Sequence, residues 1–175
     1  MYRLREIEDK DIPLINHWRN DRDMISMLGA PFRYINRDTD IKWYENYLKS
    51  RSTNVRCAIV EKDEDVILGI ISLTNINFQN QSAELHLMIG KENQGKGLGT
   101  FSVNELLYHA FNNLNLKRVE LTVLKTNIRA IHLYEKCGFV KEGCKRQSKY
   151  KNGKFVDMLM YSILKDEWCE KNNYI

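Results

Sequence analysis

The sequence predicts a mixed α/β fold, and three patterns support that prediction. Residues 83–89 alternate apolar and polar side chains, as a half-buried strand does. Residues 100–113 carry apolar side chains at helical spacing. Residues 55–61 and 66–73 are rich in β-formers and flank a polar turn, which indicates a hairpin. With a length of 175 residues, the chain is expected to form a single domain over residues 1–175.

The N-terminal part is predicted to form a short strand at residues 2–8, followed by a helix. Asp11 is the expected N-cap, and Pro13 lies in the first turn, where a proline is tolerated. The apolar face of this helix consists of Leu14, Ile15 and Trp18. Residues 24–36 are expected to be irregular.

A second helix is expected to begin near residue 38. Asp38 and Thr39 are the candidate caps, because their side chains can accept a hydrogen bond from a first-turn amide. Its apolar side is predicted to consist of Ile41, Tyr44 and Leu48.

The strand at residues 83–89 has two distinct faces. One face is predicted to carry Ala83, Leu85, Leu87 and Ile89, and the other Glu84, His86 and Met88. The helix that follows presents Val103, Leu106, Leu107, Ala110 and Phe111 as its apolar stripe.

The C-terminal part is predicted as a strand at residues 119–124, a short helix, and a final strand at residues 155–164. Asn127 caps the short helix, and Gly138 is its C′ residue. The predicted order is therefore β-α-α-β-β-β-α-β-α-β. Parallel pairing is expected across the helices that follow residues 99 and 127.

Composition excludes several function classes. The net charge of +4 and the pI near 8.8 suit an anionic ligand, but no dense Lys/Arg run supports nucleic-acid binding. No apolar stretch approaches the length of a membrane span, and the charged N-terminus does not resemble a signal peptide. The four cysteines and four histidines show no metal-ligand spacing. We therefore expect a cytoplasmic protein with reduced thiols and no metal.

The stretch Gln94-Gly95-Lys96-Gly97-Leu98-Gly99 is the most informative part of the sequence, because it joins the strand to the helix. Glycines leave backbone amides accessible, and a helix N-terminus adds partial positive charge, so this turn is a candidate phosphate cradle. It matches neither the dinucleotide-binding pattern GxGxxG at a first βα turn nor a P-loop, since Lys96 is not followed by Ser or Thr after a final glycine.

The turn resembles the acyl-CoA pyrophosphate signature Q/R-x-x-G-x-G/A of the GNAT N-acetyltransferases, with Gln94, Gly97 and Gly99 at its fixed positions. Residues 126–139 resemble the family's N-x-x-A-x-x-x-Y-x-x-x-G-F element. Residues 153–161 are similar to the ending found in its ribosomal-protein and spermidine acetyltransferase branch. The resemblance implies the GNAT fold: a mixed, mostly antiparallel twisted sheet of about six or seven strands, flanked by helices and splayed at the cofactor site.

The resemblance also implies how acetyl-CoA is held. The pantetheine arm would lie along residues 83–89 like an added strand, bonded by main-chain groups of Leu87 and Ile89, while an amide near Met88 polarises the thioester carbonyl. The amides of residues 95–99 would hold the phosphates. Further cofactor contacts are implied for Gln94, Gly95, Lys96, Gly97, Leu98, Gly99, Asn127, Arg129 and Lys136. For Asn127 a helix cap is the competing role.

Tyr134 is the implied acid that protonates the departing thiolate, since an ordinary phenol stays protonated at pH 7. Glu84 is a candidate general base, directly or through water, or else a solvent-facing carboxylate. His86 lies on the same face and is an alternative base. Cys137 is expected to be a core residue rather than a nucleophile.

The acceptor amine stays open between a polyamine, a nucleotide-linked amino sugar and a protein N-terminus. Residues 18–21 (Trp-Arg-Asn-Asp) resemble a segment of nucleotide-amino-sugar acetyltransferases, whereas the C-terminal two-thirds resembles spermidine acetyltransferases. Residues 29–42 carry three basic side chains against two acidic ones, which disfavours a polyamine. A homodimer is possible in this branch.

Two other functions compete with acetyl transfer. One is a catalytically silent acyl-CoA-binding sensor with the same fold, and the other is a nucleic-acid-binding domain that would explain the basic pI. Tyr134 argues against the sensor, and the scattered basic residues argue against nucleic-acid binding.

Overall fold

The computed structural model describes residues 1–173, in which seven strands form one sheet of order β1-β2-β3-β4-β5-β7-β6. The strands are β1 Tyr2–Glu6, β2 Val55–Glu61, β3 Ile67–Asn77, β4 Ser82–Ile89, β5 Arg118–Leu124, β6 Val140–Lys151 and β7 Lys154–Leu164. The β4–β5 pair is parallel and the other pairs are antiparallel. The predicted mixed, mostly antiparallel sheet is therefore confirmed.

Helices cover both faces of this sheet. They are α1 Ile12–Arg19, α2 Arg22–Ser26, α3 Arg37–Lys49, α4 Leu98–Tyr108, α5 Ile128–Cys137 and α6 Lys165–Asn172. Short 3₁₀ turns at Asp9–Asp11 and Lys91–Asn93 precede α1 and α4, and a π turn at His109–Asn113 extends α4. None of the helices within residues 1–173 has the length and apolar character needed to cross a bilayer.

The period-two alternation of β4 divides the interior into two cores. Leu85 points into the larger core, where α4, α5 and α6 pack on one face of the sheet. Met88 points into the second core, which lies under α1, α2 and α3. Glu84 and His86 share the parity of Met88, so they lie on the side covered by α1–α3.

The sheet is split at its parallel pair. Pairing between β4 and β5 is confined to Ser82–Glu84 opposite Arg118–Glu120. β5 keeps its pairing with β7 as far as Leu124, and β4 keeps its pairing with β3 as far as Ile89. The two central strands therefore diverge after three residues, as the family resemblance predicts.

Asp11 is the N-cap residue of α1 and Pro13 lies in the first turn, as predicted, but the Asp11 side chain makes no capping bond. That side chain is buried and accepts two bonds from the Arg5 guanidinium, at 2.7 and 2.9 Å, and one from the Glu8 amide at 2.9 Å. The helix α2 was not predicted, and its last residues, 24–26, lie in the segment expected to be irregular. Asp21 accepts bonds from the amides of Asp23 and Met24 and so starts this helix.

The cap and the buried face of α3 also differ from prediction. Asn36, rather than Asp38 or Thr39, accepts the first-turn bond, from the Thr39 amide at 3.0 Å. Ile41 and Leu48 are exposed, whereas Asp40 and Tyr47 are buried. Asp40 tolerates burial because Arg19 pairs with it and the Asn16 amide group donates to it at 2.6 Å.

The C-terminal third contains two elements that the sequence did not predict, β6 and α6. β6 is almost entirely exposed and polar, so it lacks the apolar alternation of a half-buried strand. β7 lies between β5 and β6, so the parallel pairing expected across the helix after residue 127 does not form.

Candidate active site

A cleft of about 1080 Å³ opens where β4 and β5 diverge. We call residues 94–99 its glycine end, and we call Trp43, Arg56, Ser72, Glu84 and His86 its Trp43 end. Between them the cleft is lined by residues 85–89 of β4, Thr122 and Val123 of β5, and the first turns of α5. Where the pairing of β4 with β5 ends, a continuous groove lies between the two strands.

The glycine end is a set of free amides at the start of α4. Gly97 is the N-cap, with φ 84° and no capping side chain. The first bond of the helix runs from the Phe101 amide to the Gly97 carbonyl, at 3.1 Å. The amides of residues 98–100 precede that bond, so they remain available to an anion at the positive end of the helix dipole.

The glycines of this turn serve different purposes. Gly95 and Gly97 adopt φ of 82° and 84°, a region that L side chains rarely enter. A Cβ on Gly97 would meet nothing within 4 Å, so its backbone conformation and not crowding requires glycine. A Cβ on Gly99 would lie 2.8 Å from the Leu133 side chain, so Gly99 permits close packing of α4 on α5.

Gln94 and Arg129 join the glycine end to β4 and α5. The Gln94 side chain donates to the Ile89 carbonyl at 3.2 Å and accepts from Arg129 at 2.8 Å. The arrangement adds a guanidinium beside the free amides. Lys96 and Lys136, also candidates from the sequence, lie outside the cleft lining.

The edge of β4 that faces the split carries Leu87, Met88 and Ile89, all of which line the cleft. Among the described residues no strand pairs with this edge beyond Glu84. An extended ligand can therefore bond to its main chain as an added strand would.

Tyr134 of α5 also lines the cleft and is only 7% exposed. Its ring meets Phe139 edge-on, with 5.7 Å between centroids. Burial raises the pKa of the phenol well above its ordinary value, so the group stays protonated at neutral pH. One turn further on, Cys137 is buried outside the cleft lining, and burial raises the pKa of its thiol.

Asn127 caps α5, as predicted, through a bond from the Ala130 amide at 3.1 Å. Its side-chain amide also donates to the Met27 carbonyl at 2.9 Å. Both ends of the side chain are thus engaged, and Asn127 ties α5 to the loop after α2.

Glu84 and His86 lie together at the Trp43 end. His86 Nε2 is 2.9 Å from Thr74 Oγ1 and 3.8 Å from Glu84 Oε1, and Asn75 donates to Glu84 at 3.3 Å. Burial lowers the pKa of His86, against the opposing effect of Glu84, so the imidazole is neutral at pH 7.

Sequence reasoning missed Arg56 and Trp43. The Arg56 guanidinium carbon lies 4.9 Å from the centre of the Trp43 ring, and both residues line the cleft. A signal was present, because Arg56 shares its strand face with Ala58 and Val60, which are fully buried. A charged residue at a core-facing position indicates a functional site more often than a charged residue at an exposed position does.

Within residues 1–173 no group of three or more His, Cys, Asp or Glu side chains is placed to hold a metal ion. The groups that line the cleft include backbone amides, the phenol of Tyr134, the imidazole of His86, the carboxylate of Glu84 and the guanidinium of Arg56.

Comparison with known proteins shows which family this chain is similar to. Residues 2–140 match the model of the acetyltransferase (GNAT) domain. A spermidine N(1)-acetyltransferase of Vibrio cholerae is 30% identical over 170 residues, covering 97% of this chain and 96% of that protein. A putative ribosomal N-acetyltransferase, YdaF of Bacillus subtilis, is 38% identical over 102 residues, covering 58% of this chain and 56% of that protein.

Solved structures give the same result. The crystal structure of spermidine N-acetyltransferase from Vibrio cholerae, in complex with CoA and spermine, superposes with a TM-score of 0.90 at 30% identity. The match covers 95% of this chain and 97% of that one.

Proposed function

This chain belongs to the GNAT acetyltransferase family, and from that premise we propose that it transfers an acetyl group from acetyl-CoA to a primary amine. One observation carries the proposal: a single cleft joins free helix amides, an unpaired strand edge, a phenol and a carboxylate–imidazole pair. Direct attack within a ternary complex suits this cleft, because both ends are open to ligands at once. Cys137 lies outside it, which argues against an acyl-enzyme intermediate.

The residues present fit the coenzyme. The amides of the glycine end suit its phosphates, with Arg129 supplying positive charge. The main chain of Leu87 and Ile89 suits the amide groups of its extended arm. Asn127 can contribute to that arm only if its side-chain amide leaves the Met27 carbonyl.

The catalytic steps require groups that the cleft contains. An amide near Met88 would polarise the carbonyl under attack. Glu84 or the neutral imidazole of His86 would take the proton of the amine. The protonated phenol of Tyr134 would give its proton to the sulfur as the carbon–sulfur bond breaks.

The relatives' names make spermidine and spermine the first acceptors to test, followed by a nucleotide-linked amino sugar and peptide N-termini. Thiol release from acetyl-CoA is measured with each amine, and products are identified by mass spectrometry. We expect amine-dependent release with at least one class. Calorimetric binding of acetyl-CoA with no turnover on any amine would instead indicate a catalytically silent acyl-CoA sensor.

A further inference from the structure

Most of the charged side chains that line the cleft have a partner. Arg19 pairs with Asp40, and Lys91 pairs with Asp23 at 3.1 Å. Arg129 bonds to Gln94 at the glycine end. The remaining charged residues in the cleft lining are Lys149 on β6 and, at the Trp43 end, Arg56 and Glu84. Glu84 accepts a bond from Asn75, whereas Arg56 forms no ion pair with any carboxylate of the described residues.

Arg56 is the unusual member of this group. It stacks on Trp43 and lies 5.8 Å from the Tyr47 ring centre, so its guanidinium is partly withdrawn from water. Its Nε is buried without a hydrogen-bond partner, and no carboxylate of the described residues forms an ion pair with it. The Nε group carries one of the five N–H donors of the guanidinium, and leaving that donor unmet in a buried place is costly.

The sheet register shows what Arg56 faces. Arg56 lies opposite Ser72, and Ser72 lies opposite His86, so the three side chains form one row across β2, β3 and β4. Ser72 is buried and lines the cleft. Two strand spacings separate the ends of the row, which is about 10 Å.

We propose that the acceptor is a primary amine that also bears an anionic group, a carboxylate or a phosphate, and that Arg56 binds this group while the amine lies at Glu84 and His86. The inference rests on the proposed acetyl transfer and specifies its substrate class. Because the Cα atoms at the two ends of the row are about 10 Å apart, the amine and the anion of one small molecule can lie at the two ends. A polyamine would place a second ammonium near an unpaired guanidinium, which is repulsive.

Primary amines that differ only in the group at the opposite end of the molecule test whether an anion is recognised. The carboxylate series is 5-aminopentanoate, pentylamine and 1,5-diaminopentane, and the phosphate pair is 2-aminoethyl phosphate and ethanolamine. We expect kcat/KM to be about ten- to a hundredfold higher for the anionic member, as a charge-assisted hydrogen bond provides. The more responsive series identifies the anion as carboxylate or phosphate.

Arg56→Gln should abolish that preference, because KM should rise far more for the amine with an anionic far end than for the amine with an uncharged far end. Arg56→Lys should retain part of the preference. Arg51→Gln is the matched control, because Arg51 is exposed, pairs with Glu6 and lies outside the cleft lining. An equal loss on all amines would mean that Arg56 is structural and would overturn the inference.

Binding measurements separate this inference from the proposed function. Calorimetry of each amine with the CoA-loaded protein reports the preference without turnover. Tighter binding of the anionic amines, lost in Arg56→Gln, supports the inference even if acetyl transfer fails. Acetylation of 1,5-diaminopentane or spermidine in preference to the anionic amines, unchanged by Arg56→Gln, overturns the inference and leaves acetyl transfer standing.

Discussion

Tyr134 shows how one position can serve both packing and chemistry. Its ring belongs to the main core, yet the residue lines the cleft. The apolar surroundings that bury the ring also raise the pKa of the phenol. The group is therefore held in the form that can donate a proton.

Replacing this phenol should separate chemistry from binding. For Tyr134→Phe we expect turnover to fall about a hundredfold or more, as loss of a general acid does, with acetyl-CoA affinity nearly unchanged. Steady-state kinetics and calorimetry measure the two quantities. Tyr150→Phe, at an exposed position of β6, is the control. An unaltered rate in Tyr134→Phe would remove the acid role.

Protonation of His86 should cause kcat/KM to fall on the acidic side of the pH profile, which we call the acid limb. Because burial lowers the pKa of His86, the imidazole stays neutral down to the ordinary pKa of histidine and becomes charged only at a lower pH. We expect kcat/KM to decline below that pH in the wild type and the decline to disappear in His86→Asn. His17→Asn, on the exposed side of α1, should keep the wild-type profile. Persistence of the limb in His86→Asn would assign it to another group.

Among single residues, the sequence predicted that Glu84 and His86 share one face of the strand, because alternation depends on backbone geometry alone. It could not predict that Asp40 is buried, since burial of a carboxylate depends on Arg19 and Asn16 arriving from another helix. The strand pattern placed Arg56 among core-facing residues, but its stacking on Trp43 depends on a residue of α3 and could not be predicted.

Among the elements, the start of α4 brings together the features needed to bind an anion. Three amides lie free at a helix N-terminus, and Gly97 holds the αL conformation that turns the chain into the helix. The strand edge and the helix start therefore belong to one binding surface.

Gly97→Val tests this surface, and the fold supplies a matched control. Gly97 and Gly153 have φ of 84° and 83°, and a Cβ at either would meet nothing within 4 Å. Valine strains both backbones alike, but Gly153 lies in the β6–β7 turn. We expect a loss of acetyl-CoA affinity of about tenfold or more in Gly97→Val alone, because the branched side chain obstructs the free amides. Equal affinities by calorimetry would refute the placement of the phosphates.

The predictability of the elements follows their burial. β4 was predicted because its apolar and polar side chains alternate, and α4 because its apolar side chains recur at helical spacing on one buried face. β6 was missed because it is exposed almost throughout and is held by pairing with β7 rather than by apolar burial. α2 was missed because five residues are too few to show a helical period.

A cluster of polar and charged side chains connects β5, β6 and β7. Glu142 is the extra residue of a β-bulge in β6. It accepts two bonds from Arg118 of β5, at 2.7 and 2.6 Å, and one from Ser162 of β7 at 2.8 Å. The Arg118 guanidinium lowers the pKa of Glu142 to about 2. The pair thus connects strands that are not neighbours.

Acid should release this connection. A carboxylate whose pKa is lowered on folding stabilises the folded state above its ordinary pKa, and this contribution is lost as the pH falls through the interval down to about 2. In Glu142→Gln, we expect the free energy of unfolding to decline less between about pH 4.5 and 2 than it does in the wild type. At pH 7 the substitution should lower the free energy of unfolding by under about 1 kcal/mol, since the pair is partly exposed. Urea titrations across pH measure this, with the exposed Glu170→Gln as control. Identical pH profiles for wild type and Glu142→Gln would contradict the expectation.

For the whole molecule, the sequence predicted the order of most elements but not the order of the strands. Placing β7 between β5 and β6 depends on pairing between residues distant in sequence, such as Leu121 with Tyr161. No local pattern encodes such a choice. The splay itself was accessible only through resemblance to the family.

Only three residue pairs between β4 and β5 join the two halves of the sheet. A ligand that bonds to the unpaired edge of β4 and to the start of α4 would bridge this gap. The free energy of unfolding would then rise with the logarithm of the ligand concentration. A higher concentration of the acyl donor should therefore make the split sheet harder to unfold.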